Sequence, residues 1–362
     1  MVIEFPHEQH DVATDLQGWL QKGNKWIKII NAQRVSNVDL DSENYDDLVR
    51  HLITESGEDS GWVINSDNHW NNEPLHHVKP ALQAMGLKQN EINSLIGSSV
   101  LKPWTLVSRP FQSEYPGDRI WNRKAPQLRF APTIGDVLNY PTWQKVLHHI
   151  GKSLDQALME NPWAVKNGIK TGADYLKIWI ASMIQHPKEP LPYLFIYGET
   201  QETGKSTLHE ALSLLFFPGY ENAGHALQNK NSFNAELEGA ILCIIEEIDL
   251  HRDQTAYNRI KDWVTSPKLS IHRKGQTPYM IDNTTHFIQT ANQRNACPIF
   301  PGDTRIVMIH VGDKPTEQVP KRFLLRQLEK EAPDFLGAIM SLEIPESESR
   351  LRVPVIETTD KA

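Results

Sequence analysis

The strongest constraint in this 362-residue sequence is a glycine-containing loop that joins an apolar run to a helical pattern. The run LFIYG (194–198) is wholly apolar except for its final glycine, and such a run predicts a buried parallel strand. The loop GETQETGKST (198–207) follows, and KSTLHEALSLLFF (205–217) predicts a helix. A strand that turns into a helix through glycines presents backbone N–H groups that bind phosphate. The feature predicts a nucleotide-binding α/β domain.

Each polar residue of this loop has an expected partner. Lys205 is expected to reach the β- and γ-phosphates of ATP, and the Ser206 hydroxyl is expected to bind Mg²⁺. The usual loop has about four residues between its glycines, whereas this one has five, 199–203. Either the loop bulges by one residue or its first glycine does not play the usual role. The other predicted nucleotide contacts are Gly198, Thr203, Gly204 and Thr207.

Two acidic residues follow a second apolar run. AILCII (240–245) predicts another buried strand, and Glu246 and Glu247 come directly after it. Carboxylates at the end of an apolar strand are costly unless a cation or solvent meets them. We expect Glu246 to hold Mg²⁺ and Glu247 to orient or deprotonate the attacking water. The other interpretation is a solvated acidic loop.

Two later strands each carry a candidate catalytic residue. HFIQTAN (286–292) places Asn292 at a strand end, between the phosphate loop and the acidic residues, where its amide would position the lytic water. An asparagine after a strand is also a common turn residue. RIVMIHV (305–311) begins with Arg305, which either reaches the ATP of a neighbouring subunit or pairs with Asp303. Strands that alternate with helices imply a parallel sheet covered on both faces.

The order of loop, Glu-Glu strand, Asn strand and Arg resembles the superfamily 3 helicases of viruses and mobile elements. Four segments are similar to the helicase module of phage and plasmid primase–helicases. They are PGDRIWN, PYLFIYGE…GKSTLHEAL, ILCIIEEID and QTANQRNACPIFPGDTRIVMIHV. The resemblance covers residues 105–355. It implies an AAA+-like P-loop sheet with flanking helices. It also implies a homo-oligomeric ring, expected to be hexameric, that hydrolyses ATP with Mg²⁺ at subunit interfaces and moves along single-stranded DNA.

A basic segment between the second and third strands is the expected DNA contact. Within it, LSIHRKGQTPYMI (269–281) predicts a hairpin with its tip near residues 274–276. Superfamily 3 helicases place a DNA-gripping hairpin at this point in the chain order. The resemblance therefore implies that Arg273 and Lys274 contact DNA phosphates, with Lys268 as a further candidate. The other interpretation is a solvated basic hairpin.

The chain divides into four predicted regions. Residues 1–100 form a smaller N-terminal accessory domain, mainly helical or α+β, and residues 101–188 a connecting arm and helical collar. Residues 189–315 form the ATPase core and 316–362 the C-terminal helices and tail. Further helices are expected at about 142–159, 173–185 and 322–340. The aromatic residues of 102–130 either pack the arm onto a neighbouring domain or stack on single-stranded DNA.

Charge and cysteine content limit the partners. The net charge is −8, and residues 34–73 alone hold ten acidic residues against two arginines. This acidic segment would repel DNA, which favours contact with a primase or another replication protein. Two cysteines cannot build a disulfide framework or a four-cysteine zinc site, and the pairs His76-His77 and His148-His149 lack companions at zinc spacing. No apolar run approaches the roughly 18–20 residues of a membrane span, so we expect a cytoplasmic protein, in a bacterial host cell or associated with its nucleoid.

Three functional hypotheses remain open from sequence. The first is an ATP-dependent DNA helicase or translocase of a phage or mobile-element replication system. The second is an ATP-binding replication initiator or loader that assembles on DNA without processive unwinding, and the long phosphate loop is its supporting feature. The third is a P-loop kinase of a small molecule, which leaves the basic hairpin without a function.

Overall fold

The computed structural model describes residues 19–22, 25–28, 47–123, 125–135, 137–228, 233–246, 248–272, 278–300, 302–312, 319–359 and 361. Strands β1 (Trp19–Lys22) and β2 (Lys25–Lys28) pair in antiparallel fashion. The chain divides into two compact units, one of residues 29–125 and one of residues 1–28 and 126–362. Three predicted site residues, Glu247, Arg273 and Lys274, lie outside the described residues.

The smaller unit is an α+β module with a five-stranded mixed sheet. Its strands lie in the order β5-β4-β3-β6-β7, antiparallel among β3, β4 and β5 and parallel from β3 to β6 and β7. Two helices cover one face with apolar side chains. The predicted boundary at residue 100 falls inside this unit, because β6 and β7 come from the predicted arm. The elements are β3 (Val49–Ile53), β4 (Asp59–Ser66), β5 (His69–Glu73), α1 (Leu75–Ala84), α2 (Gln89–Leu101), β6 (Trp104–Leu106) and β7 (Ile120–Trp121).

The aromatic residues of the arm pack inside this unit around a buried arginine. Arg50 is 4% exposed and donates a hydrogen bond to the Tyr115 hydroxyl at 3.1 Å. Its guanidinium lies 4.1–5.2 Å from four ring centroids, a cation–π arrangement of about 2 kcal/mol when desolvated. These contacts support the packing interpretation of the arm over base stacking. The four rings belong to Trp70, Trp104, Tyr115 and Trp121.

Several acids of the 34–73 segment have partners within the same unit. Glu55 lies 2.7 Å from Arg109, Asp59 lies 3.1 Å from His51, and Glu73 lies 3.1 Å from His77. Of these three partners Arg109 carries a permanent positive charge, whereas a histidine offsets a carboxylate only when it is protonated.

The larger unit is built on a five-stranded parallel sheet in the order β11-β12-β15-β9-β16. The four strands predicted from apolar runs are confirmed, and β11 is an additional strand at one edge. The strands of this unit are β8 (Gln127–Leu128), β9 (Tyr193–Tyr197), β10 (Phe216–Phe217), β11 (Tyr220–Asn222), β12 (Leu242–Glu246), β13 (Lys268–Ile271), β14 (Tyr279–Asp282), β15 (His286–Ala291) and β16 (Ile306–His310). The helices are α3 (Pro141–Gly151), α4 (Asp155–Glu160), α5 (Pro162–Lys166), α6 (Gly172–Gln185), α7 (Thr207–Ser213), α8 (Gly224–Gln228), α9 (Gln254–Thr265) and α10 (Lys321–Met340).

Both faces of the parallel sheet are buried, as predicted. On one face, alternate residues such as Phe195, Cys243 and Phe287 form a single apolar cluster with α8 and α9. The residues that alternate with them along β9, Leu194 and Ile196, are also fully buried. Helices α3, α6, α7 and α10 contact one another beside this second face. In the ranges that the structure describes, no helix combines the length and apolar character needed to cross a bilayer.

Two predicted helices differ from the structure. The helix predicted at 142–159 is interrupted by a short 3₁₀ turn at 152–154, between α3 and α4. The helix predicted at 205–217 ends at Ser213, because Phe216 and Phe217 instead pair with β8. Strand pairing with a segment distant in sequence has overridden helical periodicity there. The helices predicted at 173–185 and 322–340 are confirmed as α6 and α10.

The end of α3 packs closely against the start of α6, and a substitution can test this contact. An ideal Cβ on Gly151 would lie 2.4 Å from the backbone carbon of Gly172 at the start of α6. Because backbone atoms would have to move, we expect Gly151→Ala to lower the free energy of unfolding by about 1–3 kcal/mol or more. Gly97→Ala in α2 is the control, since a Cβ there meets nothing within 4 Å. Equal denaturant midpoints for both variants would contradict this account of the helix crossing.

Candidate nucleotide-binding site

Three predicted site residues emerge side by side from one edge of the parallel sheet. Strand β15 pairs with β9 on one side and with β12 on the other, as predicted for the Asn292 strand. Gly198 follows β9, Asn292 follows β15, and Glu246 ends β12 opposite Thr290. The carboxyl edge of a parallel sheet is where ligands bind in open α/β folds. The edge therefore gathers a loop, an amide and a carboxylate.

The structure gives a specific reason for glycine at position 198. An ideal Cβ there would lie 2.1 Å from the carbonyl oxygen of Val311, which follows β16. That close approach is fixed by the hydrogen bond from Val311 N to the Tyr197 carbonyl, at 2.8 Å. Gly198 is thus required by the packing of neighbouring strands, and its contact with nucleotide stays a prediction.

The long loop turns through two left-handed residues before α7. Glu202 and Gly204 have φ angles of 61° and 84°. Between them Thr203 is 1% exposed, and its carbonyl lies 2.7 Å from His149 Nε2 on α3, a contact that sequence reasoning missed. The side chain of His149 therefore fixes the carbonyl oxygen of Thr203 in this turn.

Lys205 crosses the concave side of the loop. Its Nζ donates to the carbonyl oxygens of Gly198 at 2.8 Å and Thr200 at 2.9 Å. Partial burial lowers the pKa of the Lys205 ammonium. Within the described residues, the amide groups of Gly204, Lys205 and Ser206 have no protein acceptor. The loop therefore combines a cation with consecutive N–H donors, which is the chemistry that binds phosphate oxygens.

The Glu246 carboxylate lies at the end of β12 beside a buried histidine of α7. Its side chain is 39% exposed, and Oε1 lies 3.2 Å from Nε2 of His209. His209 Nδ1 lies 2.7 Å from the hydroxyl of Tyr220 on β11. Sequence reasoning missed His209 because it falls within an apolar helical pattern. Its position on the apolar face of the predicted helix was the one sequence feature that could have marked His209 as a residue of the site.

The hydroxyl and carboxylate at this edge are of the kind that Mg²⁺ takes as ligands. Among the described residues no group of three or more His, Cys, Asp or Glu side chains could hold a metal. Mg²⁺ in nucleotide sites is held by one or two carboxylates together with phosphate oxygens and waters, so such a group is not required. Ser206, at the start of α7, and Glu246 would supply the two protein oxygens.

Asn292 lies at the mouth of a cavity beside the loop. Its side chain is exposed, and it lines a space of about 900 Å³ together with Glu199 of the loop. The remaining lining residues are His251, Gln293, Arg294, Asn295, Cys297, Ile299, Met308 and Lys361. Asn292 and Glu199 of the loop thus line the same cavity.

Arg305 lies at the opposite edge of the sheet from the phosphate loop. It precedes β16, and its carbonyl accepts from the amide of Tyr193 at the start of β9. Gly198 comes five residues after Tyr193, just past the end of β9, and is therefore roughly 16 Å from Tyr193 at the rise of a strand. The described contacts of the Asp303 carboxylate include the Arg305 amide at 2.9 Å and Lys361 Nζ at 3.7 Å. Arg305 is therefore placed away from the phosphates of its own loop.

The predicted hairpin is confirmed as the antiparallel pair β13–β14. Its tip, residues 273–277, lies outside the described residues. Lys268 is at the base, opposite Asp282, and its Nζ lies 3.5 Å from that carboxylate, which also contacts Lys188. These two lysines lower the pKa of Asp282. The side chain of Asn234 accepts from the amide of His272 at 2.8 Å.

Comparisons with known proteins support a shared fold. A family profile described as a family of unknown function (DUF5906) matches residues 196–305, which span the loop through Arg305. No curated protein sequence matches significantly. An apo structure of the NrS-1 C-terminal region (A form) is 19% identical and covers 86% of this chain and 70% of that chain, with a TM-score of 0.55. A second apo structure of that region gives 18%, the same coverage and a TM-score of 0.53.

A weaker structural match is a JCV helicase bound to a small molecule. It is 14% identical and covers 57% of this chain and 55% of that chain. Its TM-score of 0.30 is too low to carry an argument. The two NrS-1 structures show that this chain has the fold of that C-terminal region.

Proposed function

We propose that this chain is an ATP-dependent DNA helicase or translocase of a phage or mobile-element replication system, which works as a ring. The observation that supports it most is the gathering of the phosphate loop, Asn292 and Glu246 at one edge of the sheet, with β15 between the other two strands. Loop cation, carboxylate and amide are the parts that nucleoside triphosphate hydrolysis requires.

Each side chain has a role in this proposal. Lys205 and the loop amides bind the β- and γ-phosphates, with Thr203 and Thr207 as neighbouring contacts. Ser206 and Glu246 would hold Mg²⁺, which would neutralise phosphate charge when bound. Glu247 accepts the proton of the attacking water, and Asn292 orients that water. Because Arg305 is about a strand's length from its own loop, it stabilises charge on the ATP of a neighbouring subunit.

The hairpin β13–β14 is the proposed binding element for single-stranded DNA. Changing Arg273 and Lys274 together to alanine is expected to weaken DNA binding about tenfold at moderate salt. It should also reduce the slope of log affinity against log salt by about 1.4, since each lost phosphate contact contributes about 0.7. Fluorescence anisotropy with a labelled oligonucleotide at several salt concentrations measures both quantities.

A charge-matched control separates contact from net charge. Lys166 and Lys170 are exposed and lie in and just after α5. Their double alanine variant loses the same two charges, and we expect less than a twofold change in DNA affinity. Equal effects of the two double variants would exclude the hairpin as the DNA contact.

A replication initiator or loader is the second candidate. The observation that favours it is the longer phosphate loop, which has five residues between Gly198 and Gly204. This candidate predicts ATP-dependent assembly with slow turnover, whereas a motor turns over many ATP molecules per ring. Sedimentation with ATP, compared with steady-state hydrolysis in the same buffer, distinguishes them. We further propose that residues 1–100 contact a primase or another replication protein.

A further inference from the structure

His209 joins the helix of the phosphate loop to two strands of the sheet. It lies on α7, four residues after Lys205, and is 1% exposed. Its Nδ1 lies 2.7 Å from the hydroxyl of Tyr220 on β11, and its Nε2 lies 3.2 Å from Glu246 Oε1 on β12. One imidazole therefore stands between an edge-strand hydroxyl and the carboxylate proposed to hold Mg²⁺.

The geometry around His209 limits the direction of the contacts. Its Nδ1 lies beside the Tyr220 hydroxyl, which has a proton to donate, and its Nε2 lies beside the Glu246 carboxylate, which accepts when ionised. A neutral imidazole has one N–H and one acceptor nitrogen. Glu246 gains a donor only if Nδ1 accepts from Tyr220 and Nε2 carries the proton.

The second nitrogen of His209 is held close to Glu246 without a completed bond. Nε2 is buried and, among the described residues, has no hydrogen-bond partner, because Oε1 is near but not aligned. An unpaired buried polar atom costs about 1–3 kcal/mol, which an apolar side chain on this face of α7 would avoid. A small rotation of the Glu246 carboxylate toward Nε2 completes the bond.

We propose that His209 is a positioning residue that sets the orientation of the Glu246 carboxylate. A bond from Nε2–H to Oε1 fixes the plane of the carboxylate, and Tyr220 keeps the imidazole in the tautomer that can donate. The inference rests on the proposed function, because it gives Glu246 its metal-binding role. Partners that hydrogen-bond to metal-binding carboxylates affect metal affinity or activity by about 10–100-fold when removed.

The test compares variants that keep and remove the donor. His209→Met fills the space without an N–H, whereas His209→Gln places an amide N–H near the position of Nε2. Tyr220→Phe leaves the imidazole but removes the hydroxyl that selects its tautomer. For each, the measurements are ADP affinity without divalent metal, Mn²⁺ affinity of the ADP complex by electron paramagnetic resonance, and the ATPase kcat.

We expect His209→Met to weaken Mn²⁺ binding about tenfold or more, with metal-free ADP affinity changed by less than about twofold. His209→Gln should recover most of that loss, and Tyr220→Phe should show a smaller loss in the same direction. A purely structural histidine would instead lower thermal stability and both affinities together, with no recovery by glutamine.

The outcomes separate this inference from the proposed function. If the unmodified protein neither binds nucleotide nor hydrolyses ATP, the proposed function fails. If it does both and His209→Met leaves Mn²⁺ affinity and kcat unchanged, only the positioning role fails. Should His209→Met not fold, Tyr220→Phe decides, and wild-type Mn²⁺ affinity in that variant would overturn the proposal.

Discussion

Replacing Lys205 by alanine is expected to reduce ATP hydrolysis by about 10²–10³-fold or more, to background. The ammonium lies within the loop, where Nζ already contacts the carbonyl oxygens of Gly198 and Thr200. On the proposed site it provides the positive charge that meets the β- and γ-phosphates as charge develops in the transition state. Steady-state hydrolysis and the affinity for a fluorescent ATP analogue together measure the effect.

The control for this variant is Lys170→Ala, which removes an exposed lysine elsewhere in the same unit. We expect its turnover to match the unmodified protein. A thermal melt of Lys205→Ala checks that the loop's loss of two hydrogen bonds has not unfolded the domain. Undiminished turnover by a folded Lys205→Ala protein would mean that the phosphate loop is misassigned.

Arg305→Ala is the second prediction of large effect, with an expected loss of about 10³-fold in hydrolysis and nearly unchanged ATP affinity. The reason is that Arg305 lies at the opposite edge of the sheet from its own loop, so in the proposed ring it would act on the ATP of a neighbouring subunit. Its Nε is buried and has no hydrogen-bond partner among the described residues.

Mixing two inactive variants tests whether Arg305 acts between subunits. An Arg305→Ala subunit keeps its loop, and a Lys205→Ala subunit keeps its arginine. In an equal mixture of a head-to-tail ring, roughly a quarter of the interfaces combine the two intact parts, so activity should partly return. The control mixes each variant with itself at the same total concentration. No recovery from a mixture shown to co-assemble would contradict the interfacial role.

The positions of the site residues along the sheet were predictable, because buried parallel strands are apolar runs in the sequence and these runs end in polar residues or glycine. The runs before Gly198, Glu246 and Asn292 are each four or more residues long, and each ends at the same edge of the sheet. Strand β11 was missed because its three residues carry no periodicity and are defined only by pairing with β12. The end of α7 was missed for a related reason, since Phe216 and Phe217 pair with β8.

Contacts between residues distant in sequence account for what was missed at the site. The requirement for glycine at 198 depends on the carbonyl of Val311, and the position of the Thr203 carbonyl depends on His149. Similarly, in the sequence His209 is one polar residue within an apolar helical pattern. Its contacts with Tyr220 and Glu246 arise because β11 and β12 pack beside α7. Local pattern predicts elements, whereas these contacts follow from how the elements pack.

The most direct test of the central claim is steady-state ATP hydrolysis with and without a long single-stranded DNA, at moderate salt. The account predicts turnover that rises several-fold with DNA, since the nucleotide site and the hairpin belong to one motor. The stimulation should disappear when Arg273 and Lys274 are alanine, while the basal rate remains. Turnover that ignores DNA in the unmodified protein would contradict the helicase proposal and favour a loader or a kinase.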